Sequence, residues 1–176
     1  MYPIVRFIKE MVVFARASKL ALGEVHHSSH ICWPWDVDPW MELNNGRTLT
    51  LYDLGRIPMA KRSGMVAAVR ANRWGMAVAG ASVRYRRRVK AFDRFALSGV
   101  ILGWDARFFY FQQSMWKGGE ATSSILLRMA ITDQNGLVPP AQVAQAIGWA
   151  ETSPELPDYA RQWITAEAAR PWPPVV

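Results

Sequence analysis

The segment Trp35-Asp36-Val37-Asp38-Pro39-Trp40-Met41-Glu42-Leu43-Asn44-Asn45-Gly46-Arg47 separates two kinds of pattern in the chain. Asp38-Pro39 breaks regular structure, and Asn44 or Asn45 is a good helix N-cap because its side chain can accept from a free backbone N–H. Leu51, Tyr52, Leu54 and Met59 then recur at near-helical spacing and predict a helix over 48–62. Gly55 weakens that helix. Pro58 is expected to kink or split it, because its ring clashes with the carbonyl four residues back. Upstream, 30–35 reads as a short aromatic-rich strand.

Downstream, Ser63-Gly64 punctuates the chain and 65–73 reads as a second short helix. From Gly75 the period becomes two, with Met76, Val78, Gly80, Ser82, Arg84 and Arg86 expected on one face. Further strands are expected over 94–103, 108–116 and 121–132, joined by turns at Trp104-Asp105 and Gly118-Gly119. Short connections of this kind mark an antiparallel meander. Pro139-Pro140 opens a helix through Ile147, another follows over 158–168, and the Pro-rich tail reads as extended. Sheet and helix each carry an apolar surface that needs a cover, so one sheet must wrap the central helix. The fold class is α+β. The organisation expected is an N-terminal amphipathic helix in 1–24, a central domain over 25–136 and a helical extension with its tail over 137–176.

Composition narrows the function. The chain has 176 residues, 51% hydrophobic and 20% charged, which excludes intrinsic disorder. A single cysteine, Cys32, cannot form an internal disulfide and reads as a small core residue in a reducing compartment. The net charge of +7 is uneven: residues 56–94 hold eleven basic side chains and one acid, Asp93. The densest part is Arg84, Arg86, Arg87, Arg88, Lys90 and Arg94. Such a segment suits nucleic acid, an anionic membrane or a small phosphorylated molecule, or else a solvated strand edge charged against aggregation. In 1–22, charges interrupt every apolar run and leave none long enough for a signal-peptide core or a membrane span, so a cytoplasmic protein is expected. Ile4, Phe7, Ile8, Met11, Ala15 and Leu22 recur at helical spacing. Such a helix either packs on its own domain or a partner subunit, or lies on a membrane surface.

The 35–47 segment resembles the acyl-CoA thioesterases of the hotdog fold, the 4-hydroxybenzoyl-CoA thioesterase-like group. Their pattern is Asp-x-Asp, a short turn, then His-x-Asn-Asn opening the central helix. Asp53-Leu54-Gly55-Arg56, Val83-Arg84-Tyr85-Arg86-Arg87 and Gly103-Trp104-Asp105 extend the likeness over roughly 25–135. Glu42 stands where the family carries its usual His. The resemblance implies a curved antiparallel sheet around the central helix, a homodimer or dimer of dimers with the site between subunits, and hydrolysis of a thioester to acid and CoA. It makes Asp38 the catalytic carboxylate, with Asp36 bracing the loop. Asp53 is the runner-up, because other hotdog thioesterases carry their carboxylate within the helix.

Thioester hydrolysis needs a base or nucleophile and donors for the developing oxyanion. The free N–H groups and partial positive charge of a helix N-terminus offer the latter at Asn45, Gly46 and Arg47. Asn45 could also orient water or substrate, Asn44 could serve as a cap alone, and Glu42 is either a second carboxylate or a solvated one. Coenzyme A carries phosphates that Arg84, Arg86, Arg87, Arg88 and Lys90 can bind through charge-assisted hydrogen bonds, with Arg84, Arg86 and Arg88 on one strand face. No cofactor beyond substrate CoA is expected. No metal is expected either, since His26, His27 and His30 lack a companion carboxylate at metal-ligand spacing in the sequence. Phe108, Phe109, Tyr110 and Phe111 read as core and interface. Other readings stay open: a non-catalytic acyl-CoA or acyl-carrier-protein binder, and a basic nucleic-acid binder, although the chain lacks a recognisable reading helix. A dehydratase on this fold is a further possibility, but no Asp/His pair stands at that subfamily's typical placement.

Overall fold

The structure is a computed structural model that describes residues 2–174. In chain order it contains α1 (Ile4–Val13), β1 (His26–Ile31), α2 (Asn45–Arg62), α3 (Met65–Ala71), β2 (Gly75–Tyr85), β3 (Arg94–Trp104), β4 (Phe109–Lys117), β5 (Glu120–Asp133), β6 (Gly136–Leu137), α4 (Pro140–Ile147) and α5 (Asp158–Ala169). The strands form one antiparallel sheet in the order β1-β3-β4-β5-β2, with the short β6 beside β5. Bulges in β2, β3 and β5 bend it, since an unpaired extra residue raises local twist. Gly103, φ +147°, sits at the β3 bulge, where a Cβ would come within 2.5 Å of Ser153 Oγ.

α2 fills the concave face. Leu51, Tyr52, Leu54, Pro58 and Met59 are buried against Leu97, Phe111, Met115, Ile125 and Leu127 of the sheet. Gly99 lets the helix approach, because a Cβ there would lie 3.1 Å from Met59 Sδ. Polar ties fix its rotation: buried Gln113 donates to the Tyr52 carbonyl at 2.9 Å, and the Tyr52 hydroxyl pairs with Ser123 Oγ at 2.9 Å. α2 runs unbroken through Pro58, so the expected split does not occur. Burial of its apolar face stabilises the helix enough to offset one missing backbone bond, which is where most helical stability in proteins arises.

Three other expectations are corrected. The first strand is His26–Ile31, not 30–35; its inward residues are the polar His26, Ser28 and His30, which apolar periodicity does not detect. Residues Pro34–Asp36 instead form one 3₁₀ turn, favoured by the fixed φ of Pro34 and closed by Asp36 Oδ2 accepting from the Trp33 N–H at 2.9 Å. β2 ends at Tyr85, so Arg86, Arg87 and Arg88 lie on a loop, and the bulge between Val78 and Gly80 reverses the alternation. Met76 and Val83 thus both reach the core, and Arg84 does not share a strand face with Arg86 and Arg88. Finally, Phe7 packs on the core while Ile4 and Ile8 face solvent, so of the partners expected for the apolar stripe (its own domain, a second subunit or a membrane surface) the domain covers only part.

Candidate active site

Three segments converge on the N-terminus of α2. The loop after β1 bends back so that Val37 bridges Leu43, and the Asn44 N–H donates to the Asp36 carbonyl at 3.0 Å. The loop after β2 packs beside it, with the Leu43 N–H donating to the Val89 carbonyl at 2.8 Å. At the end of β2, the Tyr85 hydroxyl donates to the Asn45 carbonyl at 3.2 Å. The carboxylates of the first loop and the arginines of the second therefore sit around one helix end.

Asp36 is 1% exposed and fully engaged. Its oxygens accept two bonds from Arg6 of α1 (2.8 and 2.7 Å), one from Arg47 Nε (2.6 Å) and one from the Trp33 N–H. Burial pushes its carboxyl up, but these bonds together outweigh burial and hold it below the usual carboxylate range. It has no lone pair to spare for chemistry and braces the loop against both helices.

Asp38 is half-buried and less encumbered. Its Oδ1 accepts from the Trp40 N–H (2.9 Å) and the Glu42 N–H (3.3 Å), an Asx turn that fixes its direction, while Oδ2 has no hydrogen-bond partner among the described residues. Glu42 faces the arginine loop, with Oε1 2.8 Å from Arg88 Nε.

Asn44 is the N-cap of α2, its Oδ1 accepting from the Arg47 N–H at 3.0 Å. Among the described residues that leaves the N–H groups of Asn45 and Gly46 as the open donors at the helix end, since Arg47's is already used. The Arg47 side chain belongs to the Asp36 clamp. Asp53 lies about two turns further along α2, about 12 Å from the N-terminus at 1.5 Å per residue. It forms an ion pair with Arg56, which also donates to Gln113 Oε1 at 3.2 Å. Burial raises the Asp53 carboxyl and Arg56 partly offsets this. No contact joins it to Asp38 among the described residues.

Of the basic cluster, Arg88 is held by Glu42, and Arg87 reaches Glu120 at 3.4 Å. Arg84, Arg86 and Lys90 are exposed and have no ion-pair partner among the described residues. Sequence reasoning did not foresee the groove of about 1200 Å³ beside this helix end, lined by Tyr2, Ile4, Val5, Trp33, Trp35 and Val37 together with Asn44 and Arg47. Nor did it foresee Arg6. Its signal would have been the one arginine among the apolar residues that open the helix, but nothing in the spacing named Asp36 as its partner.

Residues 32–174 match the thioesterase-like superfamily. The Protein THEM6 of Xenopus laevis is 29% identical over 142 residues, covering 79% of this chain and 67% of that protein. Among solved structures, the YbaW probable thioesterase of Escherichia coli is similar with a TM-score of 0.64 at 13% identity, covering 69% of this chain and 96% of that one. Slr0204 of Synechocystis, a 1,4-dihydroxy-2-naphthoyl-CoA thioesterase, is similar with a TM-score of 0.60 at 11% identity, covering 71% and 96%. At those identities the two structures establish a common fold, the hotdog arrangement of a curved antiparallel sheet around a central helix.

Proposed function

The chain belongs to the thioesterase-like superfamily, and from that premise we propose that it hydrolyses an acyl-CoA thioester with Asp38 as the general base. The observation that carries the reading is the convergence at one helix end of a carboxylate with an open oxygen, two open backbone N–H groups, and exposed arginines on the adjoining loop.

In this mechanism the thioester carbonyl oxygen lies against the Asn45 and Gly46 N–H groups, where donors and helix dipole favour negative charge. Asp38 Oδ2 takes a proton from a water whose oxygen attacks the carbonyl carbon. The tetrahedral intermediate collapses, the C–S bond breaks, and the departing CoA sulfur takes the proton. The Asn45 side chain orients the water or the substrate. The acyl group lies in the groove along Ile4, Val5 and Trp35, and the CoA phosphates reach Arg84, Arg86, Arg87, Arg88 and Lys90. The free edge of β2 favours pairing with a second copy, since an unpaired strand edge is a template for another chain. Asp53, already paired with Arg56, and Glu42, tied to Arg88, are the alternative carboxylates.

A second reading is a non-catalytic binder of acyl-CoA or acyl-carrier protein. It is favoured by Glu42 being committed to Arg88 and by Asp38 Oδ1 being committed to its turn. Thiol release from a panel of short, long, branched and aromatic acyl-CoAs separates the two. Turnover above the buffer blank on at least one member supports the hydrolase. Saturable binding of the panel without turnover identifies the binder.

A further inference from the structure

α1 is amphipathic in the wrong sense for a helix that merely covers a core. Ile4, Val5, Ile8, Val12 and Val13 are 57, 82, 55, 69 and 58% exposed, whereas Glu10 is 1% exposed. Beside Phe7, the side chains turned towards the domain are the charged Arg6 and Glu10. Glu10 is held by Lys9 and lies 3.7 Å from buried His30, Arg6 clamps Asp36, and Lys9 donates to the Ser29 carbonyl at 3.4 Å. A surface helix ordinarily points its apolar stripe inward.

The apolar surface continues onto the two loops at the α2 end. Trp35, 69% exposed, shares the groove with Ile4 and Val5 and stacks on Trp33 at 5.3 Å. Trp33 in turn meets the Phe92 ring edge-on at 6.4 Å. Trp40, Met41 and Phe92 are 79, 62 and 67% exposed. Met41 and Phe92 also hold φ of 61° and 67°, a left-handed backbone that large side chains rarely adopt, and both present their side chains to solvent. Monomers seldom leave so much apolar surface bare without a use for it.

Charge identifies the occupant. Of the five acids carried by α1 and these loops, Glu10, Asp36, Glu42 and Asp93 are each ion-paired within the chain, leaving only Asp38. Arg16 just past α1, and Arg86 and Lys90 on the loop that bears Phe92, have no ion-pair partner among the described residues. A second copy placed face to face would set these cations against each other. An anionic lipid surface complements both the apolar side chains and the cations, and tryptophans favour the headgroup level. We propose that the outer face of α1, with Trp35 and Phe92, docks the protein on anionic membranes. This does not depend on thioester hydrolysis. Where both hold, the groove beside α2 opens next to the lipid.

Co-sedimentation of the full chain with phosphatidylcholine vesicles, with and without phosphatidylglycerol, tests it. The chain should pellet with the anionic vesicles, less so at raised salt, and its tryptophan emission should shift to the blue. Ile8→Asp with Val12→Asp replaces two exposed side chains outside the groove; it should weaken vesicle binding about tenfold or more with an unchanged circular-dichroism melt. Three results would overturn the proposal: a chain that stays in the supernatant with both vesicle types, a double variant that pellets like the wild type, or light scattering showing a lipid-free oligomer that the double variant dissolves.

Discussion

Asp36→Asn separates the two carboxylates of the Asp-x-Asp pair. The substitution keeps the side chain's shape but removes the charge that compensates Arg6 and Arg47, whose side chains are each only 15% exposed. Removing one partner of a buried pair typically costs about 3–5 kcal/mol, because the other charge is left without compensation. That is a large part of the ~5–15 kcal/mol that holds a domain folded. With a urea m-value of about 2 kcal/mol/M, the midpoint should fall by about 1.5–2.5 M. The sign with pH is fixed. The folded carboxyl is held below its usual value, so its contribution is present above the unfolded pKa and vanishes as pH falls through the folded one. The gap between wild type and Asp36→Asn should therefore close in strong acid. Asp38→Asn is the control: its Oδ1 still accepts from Trp40 and Glu42, so it should move the midpoint by less than about 0.5 M. A midpoint for Asp36→Asn within about 0.5 M of wild type would refute the clamp.

Three further outcomes follow from the same structure. Arg86→Ala should raise KM for an acyl-CoA about tenfold, the loss of one exposed charge-assisted phosphate contact, while leaving KM for the matching N-acetylcysteamine thioester unchanged; an equal rise with both substrates would place Arg86 elsewhere. Burial, with the nearby Lys9 and Arg6, lowers His30 to about 3, and burial with Arg62 lowers His26 to about 4. Both histidines stabilise the fold in the neutral form above about 6.5, and that stability drains as pH falls towards 4, by about 1.4 kcal/mol per unit each. The acid limb of a denaturation midpoint plotted against pH should accordingly flatten in His30→Gln, and an unaltered limb would count against it. Tyr52→Phe leaves the buried Ser123 hydroxyl without its 2.9 Å partner. A stability loss of about 1–2 kcal/mol is expected from urea titration, and no loss would show that the bond is not formed.

The central helix, an asparagine cap at its start and the turns of the meander were legible because each depends on local chemistry. A capping side chain, a Gly-Gly pair and an alternating strand all write themselves within a few residues. What the sequence hid was set by contacts distant along the chain. β1 was obscured because its inward face is His26, Ser28 and His30, polar residues made tolerable by Glu10 and Arg62 from elsewhere. α1 was legible as an amphipathic helix, but not which way it faces; that depends on Arg6 finding Asp36, 30 residues away. The bulge in β2 turned Arg84 off the face assigned to it, since a one-residue slip reverses every later side chain. At the site, spacing alone could not tell a bracing carboxylate from one with an open oxygen. Asp36 and Asp38 look alike in sequence and differ in what surrounds them.

The central claim, that Asp38 activates water for thioester cleavage at the N-terminus of α2, is tested most directly by kcat/KM. The measurement uses the acyl-CoA best hydrolysed by the wild type and compares it with Asp38→Asn at matched fold stability. Loss of a positioned general base should lower kcat/KM by about 10²–10⁴-fold. An Asp38→Asn variant that keeps its activity within a factor of about three would contradict the account and move the base to Asp53 or Glu42.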